Sequence, residues 1–452
     1  MDHFPNMPGG FEGVAWPTVT NAGTTPLAAL LAQFGRTAGL SDVQLAQAQC
    51  AQLAALAAHG WRHAPAFRQR LQAAGLAPHD LEKPGALAAL PVLTRNGVQE
   101  RTGQMHAGHV PVSHLPVGET GTSGSLGQPV IVRRTALNQL FWNAFTLREH
   151  LWNRRDFHAT LAVIRTNLPK EGVSLPDWGK PVNYLYESGP AHGISSNWPI
   201  ADQFAWLQRI EPQYLLTYPT NLSFLLDEFE RRGASLPSLR QVRTLGETVT
   251  PALRRRVREM FGVGIADTYS SQELGTIAIQ ALDADGYHVM AEGYIAEVLD
   301  AHDQPCAPGT IGRLILTDLH NYAMPLVRYD TGDYAELATP SRGPHGLPVL
   351  NRVMGRKRNM IVIDGSRRWP TLHADLYRHV APIRQYQLVQ QTPDSIEVRL
   401  VCEPMSAVQE ARLAAIIHEA LDHPFTLRFC YFDTPLPLGK TGKFEEFVCL
   451  VE

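Results

Sequence analysis

With 452 residues, of which 44% are hydrophobic and 18% charged, the chain has the composition of a soluble globular protein with a sizeable core, long enough for roughly two to four domains. A formal net charge of −3 excludes the global basic field that holds nucleic acid or an anionic membrane. No apolar stretch approaches the ~20 residues of a membrane span, "MDHFPNMPGGFEGVAW" lacks the pattern of a secretory signal, and the 5 scattered cysteines, never spaced CxxC, predict reduced thiols in a cytoplasm and no zinc cluster.

Residues 42–75 carry apolar positions at helical spacing and predict two helices. From 110 to 135 the pattern reads strand, glycine loop, strand, and "TALNQLFWNAFTLREHLW" (135–152) follows as an amphipathic helix capped by Thr135. Strands then alternate with helices. "ATLAVIR" (159–165), "YLLTY" (214–218), "QVRTLG" (241–246) and "GIADTYS" (264–270) predict strands, with helices at 220–232 and 251–261. That alternation predicts an α/β fold with a largely parallel sheet. From about 286 short strands separated by Gly and Pro turns predict a β-rich subdomain running to 355. The remainder, 356–452, reads as a small α+β domain: "MIVIDG" (360–365), a helix near 371–380, "SIEVRLV" (395–401), a helix at 405–421 and "TLRFCYF" (426–432).

Five stretches bear chemistry. In "GETGTSGSLGQPVIVRRT" (118–135), turns at Gly121, Gly124 and Gly127 can present backbone N–H groups inward, and Thr122, Ser123 and Ser125 add hydroxyls. Such concavities bind phosphate oxygens, although a solvent turn has the same composition. The pattern G-x-x-x-x-G-K-[ST] is absent there, and "GKT" at 439–441 has Thr434 where its first glycine belongs. "DTYSSQELG" (267–275) places Tyr269 four residues before Glu273, so the aromatic can stack on a base while the carboxylate holds Mg²⁺; a capped strand end reads the same way. "RYDTGD" (328–333) sets Asp333 after a Thr-Gly turn, "MGRKRN" (354–359) sets Arg356 at the domain boundary, and "LPLGKTGKFEEF" (436–447) places two lysines among glycines. Alone these read equally as a turn, a charged loop and a tail.

Their order changes the reading. Hydroxyl-glycine loop, Tyr…Glu, RY-x-TGD, GR and LP…GK together resemble the AMP-forming adenylating enzymes, the acyl-CoA synthetase and luciferase superfamily, over about residues 50–445. "HAPAFRQRLQAAGLAPHDL", "LPVLTRNGVQ" and "LGETVTPALRRRVREMFGVGIADTYSSQELG" narrow the resemblance to the branch of the phenylacetate–CoA ligases. The resemblance implies a large domain, 1–355, of layered α/β subdomains and a small mobile C-terminal domain, 356–452, with Arg358 at the hinge. It implies that Thr122, Ser123, Gly124, Ser125 and Gly127 hold the phosphates of ATP. Glu247 and Tyr269 would border the adenine, Glu273 would bind Mg²⁺, and Asp333 would accept the ribose hydroxyls. Arg328 and Arg356 would lie near the nucleotide. Lys443 would bridge ribose, α-phosphate and substrate carboxylate. The implied reaction joins a small carboxylic acid to AMP with release of pyrophosphate, then passes the acyl group to a thiol of CoA; a homodimer is compatible with it. Transfer to a carrier-protein thiol or another acceptor is the alternative within enzymes, and a degenerate nucleotide-binding homologue the alternative outside them. Phe141, Trp142, Tyr184, Tyr186, Trp198 and Tyr218 are candidate walls for an aryl or arylacetic acid.

The chain departs from the family pattern at five places, one of them Arg358, where the family has a hinge aspartate. Gln128 replaces a loop lysine and Leu126 a threonine, while Ser270 and Gln272 stand where a glycine and a hydroxyl residue precede the Mg²⁺ glutamate. A neutral amide contacts phosphate less strongly than an ammonium.

Overall fold

The computed structural model describes residues 20–121, 130–281, 284, 286–343, 345–356, 360–368, 377, 380–383, 385–434, 436–437 and 446–451. In chain order the helices and strands are α1 (Thr25–Thr37), α2 (Asp42–His63), α3 (Pro65–Ala73), α4 (Arg95–Glu100), α5 (Thr102–Met105), β1 (Val117–Gly121), β2 (Ile131–Thr135), α6 (Ala136–Trp152), β3 (Leu161–Arg165), β4 (Val173–Leu175), β5 (Ala191–Ser195), α7 (Ile200–Ile210), β6 (Tyr214–Thr217), α8 (Pro219–Arg232), β7 (Gln241–Leu245), α9 (Pro251–Phe261), β8 (Gly264–Ser271) and β9 (Gly275–Gln280). They continue with β10 (Tyr287–Val289), β11 (Tyr294–Leu299), β12 (Ile311–Asp318), β13 (Tyr329–Arg342), β14 (Pro348–Arg356), β15 (Ile361–Ile363), β16 (Ser366–Arg368), β17 (Gln385–Thr392), β18 (Ser395–Val401), α10 (Ala407–Leu421), β19 (Thr426–Phe432) and β20 (Phe447–Cys449).

A 12-stranded sheet in the order β11-β12-β13-β14-β10-β9-β8-β7-β6-β3-β5-β4 carries the large domain. β8, β7, β6, β3 and β5 run parallel, as alternation with helices requires, and the other pairings in this sheet are antiparallel. Strand side chains alternate between faces. Ala162, Ile164, Leu215 and Val242 pack with Phe204, Leu226, Phe229 and Val257 of α7, α8 and α9, whereas Leu161 and Tyr214 join Phe145 and Leu147 of α6 in the opposite layer. Thr135 caps α6 as expected, accepting from the Asn138 amide at 3.3 Å while Asn138 Oδ1 accepts from the Thr135 amide at 3.0 Å.

The β-rich segment carries the expected short strands, β10–β14. β9 pairs with β10 and β10 with β14, so β10–β14 prolong the sheet that the parallel strands begin. The glycine loop is the tip of a separate two-stranded hairpin, β1–β2, and residues 122–129 lie outside the described residues. The C-terminal part holds a four-stranded sheet, β19-β18-β17-β20, against which α10 buries Leu413, Ile417 and Leu421. The expected helix near 371–380 lies almost entirely outside the described residues.

Candidate active site

The site forms where β8 ends, β13 begins and the N-terminal helices meet them. β8 turns into β9 through Ser271–Leu274, with the Leu274 amide donating to Ser271 Oγ at 3.1 Å. Gly275 follows at φ +87°, a backbone conformation that favours glycine. The turn buries Glu273, whose Oε1 accepts from Arg95 Nη1 at 2.8 Å. Arg95 opens α4, whose cap Thr94 accepts from the Gly97 amide at 3.1 Å. A carboxylate has about four acceptor sites, so the bond from Arg95 leaves positions for a ligand.

One strand of the turn's hairpin supplies Tyr269, whose hydroxyl donates to Asp333 Oδ2 at 2.7 Å. Desolvation and the Asp333 carboxylate push the Tyr269 phenol well above its ordinary range, so it remains a donor. Asp333 is set by the turn before it. Gly332 takes φ +76°, its amide donates to Asp330 Oδ1 at 2.8 Å, and the Asp333 amide donates to Thr331 Oγ1 at 3.1 Å. A carboxylate has about four acceptor sites, so the bond from Tyr269 is compatible with two more from hydroxyls. Glu247, after β7, accepts from the Thr220 amide at 2.9 Å at the start of α8. Just before β20, the Glu446 carboxyl is pushed up by desolvation first and, against the lowering bond from Tyr386, by the Glu247 charge. Lys443, three residues before Glu446, lies outside the described residues, as do Thr122, Ser123, Gly124, Ser125, Gly127, Gln128 and Arg358.

Two sequence expectations need correction. Arg328 does not present its charge to a nucleotide: Nη1 donates to the carbonyls of Ala88 (2.8 Å) and Leu90 (2.7 Å), and Nε and Nη2 donate to Glu297. At φ +52° it holds the start of β13 against residues 88–93, with the Leu93 amide donating to the Arg328 carbonyl at 2.7 Å. It thus fixes the segment that delivers Arg95, a residue that the sequence alone does not single out although it lies inside "LPVLTRNGVQ". The six aromatic candidates also do not share a pocket. Trp198 packs on the α7–α9 face and lines a cavity of about 190 Å³ with Trp206 and Arg209 at the β4 edge. Phe141, Tyr184 and Tyr186 pack on the α6 face, where Phe141 stacks on His320 with ring centroids 3.9 Å apart. Trp142 is exposed, and Tyr218 lies at the carboxyl end of β6, its hydroxyl 3.2 Å from Thr166 Oγ1. Arg356 ends β14 directly opposite Asp333 in the β13–β14 register.

No family model matches the chain. Over 367 residues it is 26% identical to the phenylacetate–coenzyme A ligase of Escherichia coli (strain K12), a match covering 78% of this chain and 80% of that protein. Along about 70–80% of its length the chain is similar to phenylacetate–CoA ligases. Its fold is that of 2-hydroxyisobutyryl-CoA ligase in the postadenylation state in complex with R3-HIB-AMP, with a TM-score of 0.73 and 17% identity over 92% of this chain and 91% of that one. The anthranilate CoA ligase AuaEII in complex with anthranoyl-AMP shares it at a TM-score of 0.52 and 17% identity, covering 72% of this chain and 64% of that one. In this chain the turn holding Glu273 and the β13 turn holding Asp333 are brought together by pairing within one sheet, not by a local motif. Among the described residues no group of three or more His, Cys, Asp or Glu side chains forms a metal site, and no helix is long and apolar enough to cross a membrane.

Proposed function

We propose that this chain joins a carboxylic acid to AMP at the expense of ATP, releasing pyrophosphate, and then transfers the acyl group to the thiol of CoA. The observation that carries the reading is the Tyr269–Asp333 hydrogen bond of 2.7 Å beside the turn that buries Glu273. Asp333 accepts the ribose hydroxyls, and Tyr269 holds that carboxylate in place. Glu247 and Tyr269 border the base. Lys443 comes from the tail to stabilise the charge that builds as the carboxylate oxygen approaches the α-phosphate. Glu273 is the residue that would hold Mg²⁺, and a single carboxylate fits that ion because the nucleotide's phosphates supply the other ligands. Bound there, it neutralises the departing pyrophosphate. Arg95 holds Glu273 in place through their ion pair at 2.8 Å.

The similarity to the E. coli ligase supports CoA as the acceptor and an arylacetic acid as the first class to test. The test is acid-dependent exchange of pyrophosphate into ATP across aromatic and aliphatic acids, followed by product analysis with CoA, with holo-carrier protein, and with neither. Exchange with an acid and an acyl-CoA product are expected. Binding of ATP with no exchange for any acid would leave a nucleotide-binding protein; a thioester formed only on carrier protein would move the second half-reaction.

A further inference from the structure

The α6 face of the parallel strands carries more positive charge than the chain neutralises. Ala162 and Ile164 of β3 and Val242 of β7 turn toward α7–α9, so Arg165 and Arg243 share the opposite face with Val163 and Glu149 of α6. Glu149 is buried between two guanidiniums, with Arg155 Nη2 donating to Oε1 at 2.5 Å and Arg243 Nη2 to Oε2 at 2.6 Å. His150, whose Nδ1 meets Arg155 Nη1 at 3.1 Å, is driven well below its ordinary range by burial and by the two guanidiniums, so it is neutral. Arg165, half-buried at the carboxyl end of β3, adds a third guanidinium close enough to bear on Arg243. Its partner is the half-buried Tyr218: burial pushes that phenol up, but the bonds with Thr166 and Arg165 and the arginine's charge bring it down overall. Among the described residues Arg165 has no carboxylate partner. The Nε of Arg165 and the Nε of Arg243 are both buried without an acceptor.

Buried charges are ordinarily paired, and an orphaned buried donor is destabilising. Two orphan N–H groups lie on one face of the sheet, that of Arg165 at the carboxyl end of β3, where such sheets bind ligands, and that of Arg243 in the middle of β7 two strands away; together they call for an anion brought from outside. We propose that Arg165, with Tyr218 and Arg243, is a subsite for a second anionic group on the acid substrate, so that the enzyme activates a dianionic acid. This rests on the adenylation reading above and adds the substrate class to it. The reacting carboxylate is not the anion held there. An oxygen locked in a guanidinium fork is a poor nucleophile, and β3 lies three strand spacings from β8, roughly 14 Å from the Tyr269–Asp333 pair. An aryl ring carrying its two carboxyl groups on opposite sides bridges such a gap once the arginine side chains reach inward.

The test compares 3- and 4-carboxyphenylacetate with the matching carbamoylphenylacetates, which keep shape and lose one charge. Pyrophosphate exchange and calorimetric binding are measured for the intact wild-type chain, Arg165→Gln and Arg165→Lys, with thermal melting as the check on folding. In the wild type at least one dianion is expected to exceed its uncharged match about tenfold in both kcat/KM and affinity. That ratio falls toward 1 in Arg165→Gln and is partly kept in Arg165→Lys. Exchange with equal use of both members of each pair overturns the subsite and leaves the adenylation reading standing. Absence of exchange together with Arg165-dependent binding of a dianion overturns adenylation and leaves the subsite. Absence of both removes both. A raised KM for CoA in Arg165→Gln with an unchanged dianion ratio also overturns the proposal, because the anion would then be a CoA phosphate. The wild-type comparison needs no variant, so poor folding of either substitution leaves the proposal open to refutation.

Discussion

Two buried carboxyl groups, one beside each half of the large sheet, are kept in opposite ways. On the parallel half, burial alone would raise the Glu149 carboxyl, but Arg155 and Arg243 on either side overcome that effect and hold it well below the usual range. On the antiparallel half, burial pushes Asp318 at the end of β12 up to about 6, and the His320 amide at 2.8 Å and the more distant Arg134 charge lower it only in part. The first arrangement is permanently charged and leaves cations over. The second changes charge within the range in which proteins work.

The contrast breaks most visibly at Glu149. Glu149→Gln leaves two buried guanidiniums without their carboxylate and should destabilise the fold by about 3–5 kcal/mol, read from urea unfolding at neutral pH; a loss below about 1 kcal/mol would show that solvent or another group already neutralises them. Asp318 should answer to pH instead. In the unfolded chain its carboxyl titrates near ~3.9 and in the folded protein at about 6, so the folded state binds the proton more tightly. Stability then falls as pH rises from about 4 to about 6, by on the order of 3 kcal/mol. Asp318→Asn keeps an acceptor and removes the titration, so its unfolding midpoint relative to wild type should climb across that window. Parallel pH profiles for the two proteins would contradict this.

Charge at the nucleotide end is tested by Glu273→Gln and Lys443→Ala. Each should lower pyrophosphate exchange by about 100-fold, while Lys443→Ala spares thiolysis of a preformed acyl-adenylate. Equal losses in both half-reactions would strip Lys443 of its assigned role. The smallest effect belongs to Tyr269→Phe. Removing the O–H that donates to Asp333 should weaken ATP binding by about 1 kcal/mol, measured by titration calorimetry; unchanged affinity would mean that Asp333 needs no positioning.

Much of the parallel half is legible in the sequence because helix and strand periods alternate there, and the expected helix at 251–261 coincides with α9 (Pro251–Phe261). The union of both halves in one sheet is not, since it depends on β10 pairing with β9 and with β14, across distant segments. Arg95 escapes notice for a related reason: its partner Glu273 is 178 residues away, and a cap at Thr94 announces a helix without saying what its first side chain meets. Arg328 misleads because "RYDTGD" fixes the order of residues and not the left-handed turn at Arg328 that aims its side chain away from Asp333. The aromatics group into one pocket on paper because spacing alone does not say which face of a sheet a loop residue joins.

The pairing of Asp333 with Arg356 has a mechanical meaning. The strand that carries Asp333 and the strand that leads out to the C-terminal segment are neighbours in the same ladder, joined at that very rung. If Asp333 holds a ribose as proposed, any turning of that segment would pull on the rung directly.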